Sequence, residues 1–243
     1  MSEETGDVDV DEYRLSISRL TIDKLGVKLY DRVSAVVAEL VANSYDADAT
    51  TVTVRLPLAT LLSVSETEPW TVTVQDDGHG LTPEEARRYY LRVGSDRRLA
   101  GGAGARSRER GRPVMGRKGI GKLAPFGICK QIEVISSGGP ATAAGYLTSH
   151  FILDFDRIVS DDTDVPVKLD KGALDQSYRP QRGTTVVLTN FLPKRVPDGP
   201  TFMRQLERRF ALAAEDFEVL VRDTRVATAA PLKMTKFAIP HRR

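Results

Sequence analysis

The sequence predicts a single α/β (α+β) two-layer sandwich, and three features carry that reading. Apolar residues recur with helical spacing over about Tyr30–Asp46. Runs rich in β-branched residues at Thr51–Leu56, Thr71–Gln75 and Gly183–Thr189 have the look of strands. Helices interleave with antiparallel-looking strands along most of the chain, which argues for two packed layers around one core.

The elements follow in order. Residues 1–12 form an acidic, flexible tail. Tyr13–Leu20 alternates apolar and polar residues as a strand does. The Tyr30–Asp46 helix opens near Asp31, where a carboxylate suits the positive end of the helix dipole. Strands at Thr51–Leu56 and Thr71–Gln75 flank a loop at Ser63–Pro69. Thr82-Pro83-Glu84-Glu85 starts another helix: a threonine cap, proline in the first turn and glutamate at the third position. That helix is expected to reach about Val93. Residues 94–116 combine Gly101-Gly-Ala-Gly104 with six arginines and no periodicity. A structureless stretch longer than ~15 residues inside a compact domain is a lid or a disordered segment. A short helix is expected from near Ile120, then strands at Gln131–Ser136, Ala144–Phe155 and Gly183–Thr189. An amphipathic helix at Thr201–Ala213 and a strand at Phe217–Arg222 close the fold. The expected organisation is one domain over 13–225, its lid at about 94–121, and a tail or linker to a further domain over 226–243.

Composition bounds the function. At 243 residues, 41% hydrophobic and 28% charged, the chain can bury a sizeable core. The net charge of +2 says little, but its distribution is uneven. Between Arg87 and Lys122 twelve Lys or Arg face only Asp96 and Glu109, a local balance of +10. Such a block is mobile or meets an anionic partner. Cys129 is the sole cysteine, so no intrachain disulfide forms. The start is acidic, unlike a signal peptide, and no apolar run approaches the ~18–20 residues needed to cross a bilayer. A cytoplasmic protein that does not contact membranes is expected.

Three polar motifs carry the chemistry. Inside the first helix, Glu39, Asn43 and Asp46 fall within about 60° of one another, beside a core face of Val33, Val37, Leu40 and Ser44. That stripe is either an ordinary solvated face or half of a metal–nucleotide site. In the second case Asn43 offers a hard amide oxygen to Mg²⁺, which takes few protein ligands beside phosphates and waters. Glu39, one turn earlier, positions a water. Asp76-Asp-Gly78-His-Gly80 follows an apolar strand. It is either a tight turn favoured for backbone reasons or the floor of a pocket. A carboxylate there accepts a hydrogen bond from the adenine amine, whereas guanine would oppose it with a second acceptor. Gly78 and Gly80 allow the backbone close to a ring. Gly116-Arg-Lys118-Gly119-Ile120-Gly121-Lys122 gathers backbone N–H groups that suit phosphate, as does the end of a helix starting there. Taken alone, this loop is weak evidence, and its lysines are as readily solvated. Thr184, opening a late strand, either reaches adenine or reflects β-propensity alone.

Glu39-x-x-x-Asn43-Ser-x-Asp46-Ala47, then Asp76-x-Gly78-x-Gly80, then the glycine-rich run, then Gly183-Thr184, resembles the GHKL ATPase superfamily over roughly residues 13–225. That group includes gyrase B, the large cytosolic heat-shock chaperone, histidine kinases and MutL. The resemblance implies a Bergerat fold: a mixed, mainly antiparallel sheet covered by helices on one face. It implies ATP and Mg²⁺ as cofactors, with Glu39 as general base, Asn43 as metal ligand and Asp76 as adenine anchor. Gly116, Lys118, Gly119, Ile120, Gly121 and Lys122 would form the lid's phosphate loop. Asp46 and Ala47 would line the pocket near adenine, and Thr184 would support the base. Histidine kinases lack the glutamate, and MutL carries a different lid, so the chain is most similar to the chaperone-like (Hsp90-like) and Microrchidia (MORC-like) branches. In those branches a second domain usually supplies a lysine to the γ-phosphate.

The expectation is therefore slow Mg²⁺-dependent ATP hydrolysis coupled to lid closure and ATP-dependent homodimerisation. The competing expectation is a nucleic-acid-binding module using the basic 87–122 segment on DNA or RNA, or a MutL-like DNA-repair ATPase. If the arginine-rich run is a lid, trypsin should cut within Arg97–Arg112 and be slowed by a non-hydrolysable ATP analogue. Equal cutting rates in a time course on gels would remove the lid.

Overall fold

The computed structural model describes residues 12–15, 30–63, 68–92, 106–116, 121–160, 167–208, 210, 216–226 and 228–234. The expected acidic tail before residue 12 lies outside them. So do the chain after Leu15 in the first expected strand, residues 94–105 and 117–120 of the expected lid, and the end of the chain from 235.

In chain order the elements are β1 (Arg14–Leu15), α1 (Val33–Asp46), β2 (Thr51–Leu56), β3 (Val72–Asp76) and α2 (Pro83–Glu85). The last runs on as a π-turn, Ala86–Tyr90. A 3₁₀ segment, Gly121–Gly127, precedes β4 (Cys129–Thr142), β5 (Gly145–Asp154) and α3 (Phe155–Ser160). Then come β6 (Val167–Lys168), β7 (Asp170–Lys171), β8 (Tyr178–Arg179), β9 (Gly183–Phe191), α4 (Gly199–Glu207), β10 (Glu218–Asp223) and β11 (Leu232–Lys233). Among the described residues no helix is long and apolar enough to cross a membrane.

One large sheet has the order β11-β10-β2-β3-β9-β4-β5-β7, with β8 also on β5. The β10–β2 pair is parallel and the other pairs are antiparallel, so the sheet is mixed and mainly antiparallel. β1 and β6 pair separately. Alternation along each strand sends one face to the core. Val221, Val54, Val74, Val186, Val134 and Phe151 are register partners across six strands, and all are buried. Fully burying each such side chain stabilises the fold by about 1.5–3 kcal/mol. The partners of the opposite parity on β2, Thr51, Thr53 and Arg55, are only half-buried.

α1 is buried nearly all round, through Val33–Ala38, Leu40, Val41, Ser44 and Tyr45. Ser34 donates to Gln205 of α4 at 2.6 Å, joining the two helices. The end of α1 is a Schellman motif: Ala49 N–H donates to the Ser44 carbonyl and Asp48 N–H to that of Tyr45, both at 3.1 Å. The left-handed position is Asp48 (φ 63°) rather than the usual glycine.

Three expectations change. The Thr82 capping box forms as the sequence implies, but α-geometry lasts three residues before the π-turn. The Lys122 ammonium explains where it stops: it donates to the carbonyls of Tyr89 (3.3 Å), Tyr90 and Arg92 (2.9 Å) and lies over the Tyr90 ring. The helix expected near Ile120 is a 3₁₀ segment with Pro125 inside it. Residues 106–116, expected to be structureless, form a docked hairpin bridged at Arg106 and Pro113.

Asp48 holds the hairpin tip, accepting from Glu109 N–H (2.6 Å) and Arg110 N–H (3.1 Å). Burial pushes its carboxyl up, but the Ser107 hydroxyl and these two N–H groups together hold it below the usual carboxylate range. Arg112 is 7% exposed; it donates to Ala49 O (2.7 Å) and Asp216 Oδ2 (2.7 Å) and stacks on the Tyr45 ring at 4.8 Å. Arg110 also binds Asp216, Arg108 binds Glu85, and Arg182 grips Glu109 through two 2.8 Å bonds.

Arg112→Ala removes stacking, leaves Ala49 O without its donor and leaves Asp216 with Arg110 alone. It should cost about 2–4 kcal/mol, lowering Tm by about 5–15 °C. Arg108→Ala breaks an exposed pair and should cost under ~1 kcal/mol. Differential scanning calorimetry of the two variants checks the contrast; equal losses would refute the staple role of Arg112.

Candidate nucleotide site

The open side of α1 positions the first group of side chains. Glu39, Ala42, Asn43 and Asp46, at i, i+3, i+4 and i+7, are the positions of α1 beyond its first turn that keep water access. A solvated face on a surface helix would be unremarkable. Here the rest of the helix is buried, so this stripe is the strip of α1 left open to water.

The floor is Asp76, the last residue of β3. Its Oδ1 accepts from Gly78 N–H and Thr184 N–H, both at 3.0 Å, and its Oδ2 accepts from the Ser44 hydroxyl at 2.8 Å. A carboxylate has about four lone-pair sites, so Oδ2 retains one. Burial is the largest influence on this carboxyl and pushes its pKa up against those three bonds. An additional N–H donor arriving at Oδ2 would therefore be strongly favoured.

The turn after Asp76 is fixed by α1. His79 N–H donates to the Ala47 carbonyl at 2.9 Å, and a Cβ on Gly78 would lie 2.6 Å from that oxygen. Gly80 has φ +62°, and a Cβ there would lie 1.9 Å from Ser137 O, so only glycine fits. Asp77 turns away and accepts from Thr50 N–H (2.7 Å) and Thr51 N–H (2.9 Å), securing the loop into β2.

The remaining wall comes from the glycine-rich run. Met115 N–H and Gly116 N–H donate to the two oxygens of Asp46, at 2.7 and 2.9 Å. Gly121 lies so close to Glu39 that a Cβ would sit 2.9 Å from Oε2. Lys118, Gly119 and Ile120 lie outside the described residues. The Lys122 ammonium donates to the carbonyls of Tyr89, Tyr90 and Arg92 at the end of the π-turn. Thr184 stands beside Asp76 with its hydroxyl 2.7 Å from Ser136 Oγ.

The structure thus sets Glu39 against Gly121 and Asp46 against Met115 and Gly116, with Asn43 between them on the same stripe, and gathers Gly78, Thr184 and Ser44 on Asp76. Ser44, Asp48 and Ser136 were missed by the sequence reading. Ser44 had a signal, a hydroxyl on the core face of α1; Ser136, inside an apolar strand, had none. Among the described residues no three His, Cys, Asp or Glu side chains gather as a metal site. A lone exposed Asn43 carboxamide fits Mg²⁺ arriving with phosphates, not a metal caged by protein.

A family model described as histidine kinase-, DNA gyrase B-, and HSP90-like ATPase matches residues 30–180. The chain is 31% identical over 216 residues to a protein of Herpetosiphon aurantiacus described as "Putative type II restriction enzyme HgiDII". The alignment covers 87% of this chain and 32% of that protein, so the chain spans about a third of that relative's length.

Asp76→Asn would turn an amide N–H₂ toward the groove. ATP affinity, read by isothermal titration, should fall about 10- to 100-fold, the worth of one bond to a charged acceptor. Wild-type affinity should weaken on acidification starting above the usual carboxylate range, because protonation removes the acceptor and the carboxyl pKa is raised. Unchanged affinity in the variant would take Asp76 out of the site.

Proposed function

This chain belongs to the histidine kinase-, DNA gyrase B- and HSP90-like ATPase family, and we propose that it binds Mg²⁺-ATP in the α1 groove and hydrolyses it slowly. The observation that carries the reading is a buried Asp76 with an acceptor oxygen to spare, beside an α1 stripe of Glu39, Asn43 and Asp46 that meets the glycine-rich run at Gly121 and Gly116. Its sheet and helices are those of the Bergerat fold, an ATP-binding framework.

In the proposed mechanism Asp76 takes the adenine amine and Thr184 supports the ring. Asn43 would hold Mg²⁺, which when bound offsets charge on the phosphates. Glu39 would accept a proton from the water that attacks the γ-phosphorus, as its position within reach of Gly121 and the phosphate loop allows. The Asp46 carboxylate anchors the loop through Met115 and Gly116, so phosphate-binding N–H groups start from a fixed point. Lid closure and ATP-dependent dimerisation would limit turnover, as a module of a MORC-like or chaperone-like protein.

A second reading concerns what the cycle acts on. The aligned relative's name as a restriction enzyme favours nucleic acid as the target. Of the arginines in the hairpin, Arg112 is buried against Asp216, whereas Arg108 and Arg110 are paired at the surface and keep exposed guanidinium groups.

Phosphate release by wild type, Glu39→Ala and Asn43→Ala tests the assignment. Glu39→Ala should bind ATP normally and lose about 10²- to 10⁴-fold in rate. Asn43→Ala should lose the Mg²⁺ dependence of binding. A Glu39→Ala enzyme that turns over at the wild-type rate would sink the base assignment.

A further inference from the structure

We propose that Ser136 determines the base specificity of this site by fixing which way the Thr184 hydroxyl points, an inference that rests on the adenine reading of Asp76. Ser136 is 0% exposed on β4, directly opposite Thr184 in the ladder. Its Oγ accepts the Leu81 N–H at 2.9 Å and lies 2.7 Å from Thr184 Oγ1. The Leu81 peptide is itself held, because Ser149 Oγ lies 3.3 Å from the carbonyl oxygens of Leu81 and Ser136.

Hydrogen accounting then assigns a direction. The Ser136 oxygen is already an acceptor, and among the described residues Thr184 Oγ1 is the acceptor within reach of its proton. Were Thr184 the donor instead, the Ser136 O–H would be buried with no acceptor, which folded proteins avoid. So Leu81 N–H donates to Ser136, Ser136 donates to Thr184, and the Thr184 proton is left for the groove. Thr184 is only half-buried, so that proton has somewhere to go.

The two neighbours on the floor consequently have opposite polarity. Asp76 Oδ2 is an acceptor and Thr184 is a donor, directly or through one water. Adenine offers the complementary edge, an amino donor at C6 and an acceptor at N1. A 6-oxopurine offers the reverse, an acceptor at C6 and an N–H at N1, and meets like against like at both positions. Ser136 is thus a positioning residue: it touches no ligand and acts through Thr184.

The test is the ratio of ATP to ITP affinity, measured by titration of the full chain; the two nucleotides differ only at C6 and N1. Wild type should prefer ATP. Ser136→Ala frees the Thr184 rotor to accept from an N1–H, so the preference should shrink about five- to tenfold. Thr184→Val should shrink it similarly, and adding Ser136→Ala to that variant should change nothing further. Should the alanine variant fail to fold, Ser136→Cys, nearly the same shape with a weak donor, carries the same expectation. A Ser136 variant that weakens both nucleotides equally, leaving the ratio intact, overturns the role of Ser136 while leaving the Asp76 reading standing. Absence of ATP preference in wild type, or an unchanged ratio in Asp76→Asn, overturns both.

Discussion

The arrangement turns on one buried carboxylate. Asp76 ends β3 inside the protein, where burial disfavours its charge. Its charge is tolerated because three donors from three places converge on it: Ser44 from α1, Thr184 from β9 and Gly78 from its own turn. Remove any one and a buried charge loses compensation worth about 1.5–3 kcal/mol. The requirement therefore fixes the distance from helix to sheet and the register of β9 against β3 at the same point. Three donors leave the carboxylate with room for one more at Oδ2.

α1 shows the same coupling of local structure to chemistry. A glycine would suit its left-handed end better than Asp48, as a matter of backbone sterics. Glycine, however, has no carboxylate to take the N–H groups of Glu109 and Arg110. Two turns of the helix thus supply, in order, a groove wall at Glu39 and Asn43, a loop anchor at Asp46 and a hairpin anchor at Asp48. Each function falls on a position that the apolar core leaves open or that the helix end exposes.

Much of this was legible in the sequence where the determinants are local. The β-branched runs gave β2, β3 and β9 within a residue or two, and Thr82–Glu85 announced its capping box. The motifs that carry the family resemblance were readable because each has fixed residue types at short spacing. The hairpin at 106–113 was not readable. Its order comes from Asp48, Arg182 and Asp216, which lie 61, 73 and 104 residues away from their partners. Arginine-rich composition without period resembles disorder when those partners are unknown. The π-turn escaped for the same reason, since Lys122 acts on it from 32 residues downstream. Ser136 was invisible as well: a hydroxyl in an apolar strand acquires meaning only from the strand beside it.

The position of Asp216 gives the hairpin a mechanical role beyond its stability. It receives Arg110 and Arg112 and lies two residues before β10, the one strand that runs parallel to its neighbour β2. Hairpin and strand are pinned to a shared post. A swing of the hairpin that keeps both ion pairs has to drag the start of β10 along. A swing that leaves β10 in place has to pull a buried guanidinium off the Tyr45 and Phe217 rings. Movements of the hairpin and of the start of β10 are thereby tied together through Asp216.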